Sequence, residues 1–162
     1  MTLALAQFGA CADKNANLAA IERFAQQAAK SGASMLFLPE YSMYYAKTNR
    51  QSLNIRAAEP LDGAFVTALG GIARQYGLWL AAAQKAAGAD ILYVPAGWAA
   101  GPNKLLHWRT LLCARAIENH MTVLGVDQSA PGCFIGHSAA FAPDGTTRGA
   151  LDEGDGLLTI TI

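Results

Sequence analysis

The sequence predicts an α/β layered fold, and three observations carry that prediction. Five short runs, 3–8, 34–38, 78–83, 91–94 and 121–126, are apolar almost without interruption, as strands are when both faces of their sheet are covered. Stretches of helical periodicity lie between them. The tail then changes to short apolar segments around a Pro143-Asp144-Gly145 turn, which signals an antiparallel end.

The run 3–8 opens the fold. Residues 1–10 lack a basic flank and an obvious cleavage site, so they read as a strand and not as a leader. In 15–30, Leu18, Ile21, Phe24, Ala25 and Ala28 share one helical face, while Arg23, Gln26, Gln27 and Lys30 share the other. Gly32 sits where a C-terminal cap is wanted. After the strand at 34–38, residues 46–60 form the one long polar loop. Asp62 is a suitable N-cap for a second helix carrying Phe65, Leu69, Ile72 and Tyr76, and Gly77 ends it.

A third helix is expected over 105–120. Its wheel puts Leu105, Trp108 and Leu112 on one side and Leu106 and Ile117 nearly opposite, so it should be sandwiched between two partners. Arg115 and Asn119 fall inside the Trp108/Leu112 stripe and must be paired if that face is buried. Segments 134–142 and 157–162 read as strands flanking the turn. The apolar stretch 78–100 is interrupted by Gln84, Lys85 and Asp90, too often for a membrane span.

Composition bounds the function. The 162 residues suit one domain, and 12 basic against 12 acidic residues give no net charge. That balance argues against nucleic acid and against an anionic membrane surface as partners. Hydrophobic residues make up 52% and charged ones 15%, below the roughly 25% charged of an average domain. So little charge leaves surface to be hidden, and a homo-oligomer or a related partner chain is expected. Cys11, Cys113 and Cys133 form no CxxC pair; reduced thiols in a cytoplasmic protein are the expectation.

Most chemical motifs are missing. No GxGxxG or GxxxxGK[ST] cradle is present. Gly136-His137-Ser138 lacks the second glycine of a nucleophile elbow. Cys133 and His137, on one strand face, would stand roughly 13 Å apart, too far for a thiolate–imidazole pair. His107, Cys113 and His120 share no helical face, so no metal site is expected. Glu40 stands out because it follows the buried run Met35-Leu36-Phe37-Leu38 and Pro39. That places a carboxylate at the C-terminal edge of a sheet, where open α/β sheets bind ligands. A loop cap or an arginine partner is the bland alternative.

A set of segments adds to this reading: 3–8 followed by Asn17-Leu18; Leu36-Phe37-Leu38-Pro39-Glu40; 88–98, from Gly88-Ala89-Asp90 through Pro95-Ala96-Gly97-Trp98; His107-Trp108-Arg109-Thr110-Leu111-Leu112 with 114–119; and Gly136-His137-Ser138 up to Pro143-Asp144-Gly145. In this order they resemble the nitrilase, or carbon–nitrogen hydrolase, superfamily over nearly the whole chain. The resemblance implies an α-β-β-α sandwich and hydrolysis of non-peptide C–N bonds in amides, nitriles or carbamoyl compounds, without a cofactor. It also implies a glutamate base, a lysine that stabilises the tetrahedral intermediate and a cysteine nucleophile.

Glu40 matches the family's base, but the lysine and the cysteine have no counterpart. In the family both come between the third strand and the Gly-Ala-Asp segment, whereas here 78–83 runs through Gln84-Lys85-Ala86-Ala87 straight into Gly88-Ala89-Asp90. The chain therefore reads as one carbon–nitrogen hydrolase domain over 1–162 with an internal deletion near 84–87, and the sandwich as incomplete, without its central strands and nucleophile helix. Lys85, Lys104, Cys113 and Cys133 each occupy the wrong element to substitute. Tyr41 and Trp98 follow strand ends that line the family's pocket, so they are candidate substrate contacts or packing aromatics. Arg115, Glu118 and Asn119 belong to a helix that the family uses for packing and self-association.

Three outcomes are then open. The chain is a deleted version of an enzyme; a non-catalytic homologue that binds a small amide or nitrile or pairs with a full-length paralogue; or a remnant that folds poorly because lost strands expose new sheet edges.

Overall fold

The computed structural model describes residues 1–48, 53, 56–81 and 90–162. The junction at 84–87, with Lys85, lies outside the described residues. The elements among the described residues run β1 (Thr2–Gln7), α1 (Lys14–Lys30), β2 (Met35–Phe37), α2 (Ala64–Tyr76), β3 (Trp79–Ala81), β4 (Ile91–Ala96), α3 (Lys104–Asn119), β5 (Thr122–Asp127), β6 (Ser129–Ala130), β7 (Phe134–Ile135), β8 (Ala139–Phe141), β9 (Thr147–Ala150) and β10 (Gly156–Thr161).

Two four-stranded sheets face each other, ordered β10-β1-β2-β3 and β4-β5-β8-β9. β1, β2 and β3 run parallel, with Leu3 opposite Met35 and Met35 opposite Trp79. β4 runs parallel to β5, while β10 adds an antiparallel edge to the first sheet and β8 and β9 extend the second antiparallel.

The apolar runs follow from this layering. Leu3 and Leu5 of β1 point between the sheets, where they meet Phe37, Tyr93, Leu124, Val126 and Ile160. Ala4 and Ala6, one residue on, point outward onto Ile21, Phe24 and Ala25 of α1, as the two-residue period of a strand dictates. A third cluster joins Trp108, Leu112 and Ala116 of α3 to Val123, Ala139 and Phe141. The layers are therefore helix, sheet, sheet, helix: the α-β-β-α sandwich expected from the sequence.

Several local expectations hold. Asp13 caps α1 by accepting from the Asn15 and Ala16 N–H groups at 2.9 and 3.2 Å, and Gly32 and Gly77 adopt the left-handed φ that helix ends require. Others need correction. The N-cap of α2 is Gly63, with no side-chain cap, one residue later than Asp62. In α3, Arg115 and Asn119 are exposed. The buried stripe there is Trp108, Leu112 and Ala116; Arg115 lies at its flank, and Asn119, the last helical residue, comes after its last buried position. The side bearing Leu106 and Ile117 stays uncovered in the single chain, the two exposed at 63% and 48%, and Leu111, exposed at 49%, lies on a different flank of the helix. β9 was not anticipated: Thr-Arg-Gly-Ala has almost no apolar signal and is held by its ladder to β8.

Candidate functional site

Glu40 stands just beyond β2, on the sheet edge where the parallel strands β2, β4 and β5 end. Its carboxylate is solvent-facing, and Oε2 accepts from the Gly97 N–H at 3.0 Å. That is its one hydrogen bond among the described residues. The Glu40 carbonyl accepts from the side-chain amide of buried Gln128, whose Oε1 in turn accepts from the Ala10 N–H at 2.8 Å. The backbone that presents the carboxylate is thus pinned from below.

Asp127, the last residue of β5, holds the next amide of the same turn. Its Oδ1 accepts from the Trp98 N–H at 2.7 Å and from the Gln128 N–H at 2.9 Å. Two carboxyl groups, Glu40 and Asp127, therefore grip consecutive N–H groups after β4. Asp127 has no solvent exposure, and its Oδ2 has no hydrogen-bond partner. Burial pushes its carboxyl up to about 8, the negative charge of Glu40 adding to the rise while the Trp98, Gln128 and Gly136 amides oppose it. Around neutral pH Asp127 is a neutral acid. Sequence reasoning missed this residue, although a lone carboxylate closing the unbroken run Val123–Val126 was the same signal that singled out Glu40.

The network continues inward. The Asp127 N–H donates to Ser138 Oγ at 2.9 Å, and the Ser138 N–H donates to Gln7 Oε1 at 2.7 Å. Ser138 is therefore an internal bracket between β5 and β1, consistent with its rejection as a nucleophile.

The candidate aromatics lie close by in different roles. Tyr41, at φ 59°, turns its ring edge toward Gly97: a Cβ there would meet Tyr41 Cε2 at 3.2 Å and Phe134 Cε1 at 2.9 Å. Only a glycine lets the chain pass between these rings and still offer its N–H to Glu40. Trp98 donates from its indole to the Lys104 carbonyl at 3.0 Å and stacks on Trp108 at 5.4 Å, which ties the turn to the start of α3.

No thiol or lysine joins Glu40 among the described residues. Cys11 Sγ lies 3.4 Å from Asn17 Oδ1, and Cys113 Sγ lies 3.5 Å from the Gly145 carbonyl. Cys133 packs into the cluster between α1 and its sheet. Lys14 pairs with Glu59, and Lys104 Nζ lies 5.4 Å from the Trp98 ring centroid. Arg115, Glu118 and Asn119 form their own exposed group: Arg115 Nη1 pairs with Glu118 at 2.8 Å, and Asn119 donates to the Arg115 carbonyl at 2.9 Å. No cluster of three or more potential metal ligands occurs among the described residues.

This architecture and the order of its segments can be set against known proteins. The carbon-nitrogen hydrolase family model matches residues 2–85 and 80–162. The chain belongs to the carbon–nitrogen hydrolase family. Among curated relatives of this family member, it is 39% identical over 79 residues to "Putative protein YbeM" of Escherichia coli K12, covering 49% of this chain and 42% of that protein. It is also 39% identical over 79 residues to the deaminated glutathione amidase of Escherichia coli O157:H7, covering 30% of that protein. The matches thus span less than half the length of these relatives.

Among solved structures, the family fold is matched by the amidase from Nesterenkonia sp. AN1 in a form with acrylamide added at its active-site cysteine. The TM-score is 0.82 at 21% identity, covering 100% of this chain and 93% of the amidase. A cysteine-to-alanine variant of the same amidase in complex with butyramide gives a TM-score of 0.80 at 22% identity, covering 99% and 90%. At that identity the likeness concerns the fold. No helix among the described residues is long and apolar enough to cross a membrane.

Proposed function

We propose that this chain is a non-hydrolysing member of the carbon–nitrogen hydrolase family, with Glu40 in the place of the family's general base and a sheet edge suited to a small amide. The observation that carries the reading is the company Glu40 keeps. Its carboxylate is held by a backbone amide, while all three sulfurs sit on other elements with other neighbours. Cleaving an amide through a thioester needs a thiolate at the carbon, a base to take the thiol proton and a cation or donor pair for the oxyanion. Glu40 can accept the N–H of a bound amide; with no sulfur beside it, the carbon is not attacked. Tyr41 and Trp98 flank the edge as apolar contacts. Three free thiols fit a reducing compartment such as the cytoplasm.

The two-piece family match supports a shortened interior. Residues 80–85 belong to both matched segments, as they would if a block between the third and fourth strands had been removed. This favours a second reading, in which a longer form carries the lysine and the cysteine and is an active amidase or nitrilase. Sequencing the coding region across 84–87 separates the two.

Ammonia release from acetamide and butyramide tests the main reading. The purified chain is expected to stay at the buffer background, since losing such groups costs several powers of ten in rate, and calorimetric titration with butyramide should show saturable binding that weakens in Glu40→Gln. Turnover abolished by Glu40→Gln overturns the proposal.

A further inference from the structure

A second site, lined by none of the Glu40 turn residues, shares Phe134 with that turn. It is a cleft of about 270 Å³, the size for a ligand smaller than a typical drug. Its walls are Leu105 from the start of α3, Pro131, Phe134 and Ile135 from the β6–β7 hairpin, and two polar residues, His137 and Glu153. Neither polar residue takes part in the Glu40 network.

Both are held in place by one buried side chain. Gln7 has no solvent exposure. Its Nε2 donates to the Asp152 carbonyl at 2.7 Å and to the Gly154 carbonyl at 2.6 Å, the two residues flanking Glu153. Its Oε1 accepts from the N–H of Ser138, next to His137. A Cβ at Gly136 would meet Gln7 Nε2 at 2.8 Å, so the glycine before His137 is what lets the clamp close. All the hydrogen-bonding capacity of this amide, apart from one lone pair, serves the two loops that form the polar wall.

His137 is fixed further. Its backbone adopts φ 59°, rare for a non-glycine residue, and its carbonyl accepts from the Trp108 indole at 3.0 Å. The ring Nδ1 lies 3.2 Å from the Leu151 carbonyl. A carbonyl only accepts, so Nδ1 carries the hydrogen, and in the neutral ring Nε2 is left with the lone pair. Glu153 makes no hydrogen bond or ion pair among the described residues. The cleft thus combines an apolar bed with two acceptors, one of them anionic, and a backbone strained to present one of the pair.

We propose that this cleft binds a small primary ammonium compound with an apolar body, its N–H groups donating to Glu153 and to His137 Nε2 while the body lies on Leu105, Phe134 and Ile135. The Glu153 carboxylate selects against carboxylate ligands, and a neutral alcohol has a single O–H donor to offer the two acceptors. The charge-assisted bond to Glu153 makes the difference.

Calorimetric titration with benzylamine, benzyl alcohol and benzoate tests it. Benzylamine should bind saturably and about tenfold tighter than benzyl alcohol, and benzoate should not bind. Glu153→Gln replaces an exposed side chain and should bring benzylamine down to the level of the alcohol. The His137 ring signals in NMR should move with benzylamine and stay still with benzoate. Equal binding of amine and alcohol, indifference to Glu153→Gln, or loss of amine binding in Glu40→Gln with Glu153 intact each overturns the assignment. The last outcome would place the amine at Glu40 and leave the amide reading above to stand or fall on its own titration.

Discussion

Asp127→Asn should convert a pH-dependent stability into a flat one. The carboxyl is fully buried, accepts two backbone N–H bonds on Oδ1 and none on Oδ2, so the protonated acid and an asparagine amide occupy the site alike. In the unfolded chain the group titrates near its ordinary 3.8, and in the folded chain near 8. Below about pH 4 both states are protonated, and burial adds no pH dependence. Between about pH 4 and 8 the folded chain holds a proton that the unfolded chain has released, so stability falls as pH rises. Above about pH 8 both are ionised and the loss is complete. A rise of this size sets an upper limit of about 6 kcal/mol. Water entry and loop relaxation around the charge reduce the measurable part to about 2–4 kcal/mol. Urea denaturation at about pH 5 and about pH 8.5 reads it directly. The variant's advantage over the parent should be small at the lower pH and larger by that margin at the higher, equivalent to some 5–15 °C in Tm. Parallel pH profiles for the two proteins refute the reasoning.

Two further predictions concern packing and surface. Gly125 lies under α3, where an added Cβ would collide with Leu112 and meet Trp108 Cζ2 at 2.8 Å. Gly125→Ala should therefore cost about 1–3 kcal/mol in urea denaturation, and adding Leu112→Ala should make the pair less costly than the sum of the two single changes. The uncovered side of α3 bearing Leu106 and Ile117 is the surface through which self-association is expected. Light scattering should show a dimer for the parent chain and a monomer for Leu106→Glu/Ile117→Glu, with an unchanged melting profile at low concentration in the parent counting against that role.

The sequence was most readable where burial was two-sided. An unbroken apolar run such as Leu3–Ala6 has one explanation in a layered fold, because alternate residues serve different cores. α1 was readable from its wheel and its end at Gly32. β9 was not readable, since its identity lies in pairing with β8 and not in its own side chains. The exposure of Arg115 depended on which arc of α3 faces the sheet and that of Asn119 on where the buried stripe stops along the helix, tertiary facts that a wheel does not specify. At the site, Glu40 was visible because a charge directly after a buried strand is anomalous. Asp127 ends its strand in the same way, but its neutrality depends on depth and on the neighbouring carboxylate, neither of which spacing encodes.

The distribution of buried polar groups argues against a remnant that merely collapses. Gln7, Asp127, Gln128 and Ser138 are all without solvent exposure, and leaving such groups unmatched would cost about 1–3 kcal/mol each. Here they are matched almost completely. Gln7 makes three hydrogen bonds, Gln128 fixes both Ala10 and Glu40, and Ser138 joins β1 to β5. Asp127 Oδ2, buried without a hydrogen-bond partner among the described residues, is the oxygen whose protonation removes the charge. A chain held by its apolar layers alone would have no reason to satisfy these donors and acceptors across segments as distant as β1, β5 and the loop before β10. Their mutual fit makes this end of the sandwich rigid, and rigidity there is what a recognising surface needs, whether the ligand is met by Glu40 or by Glu153.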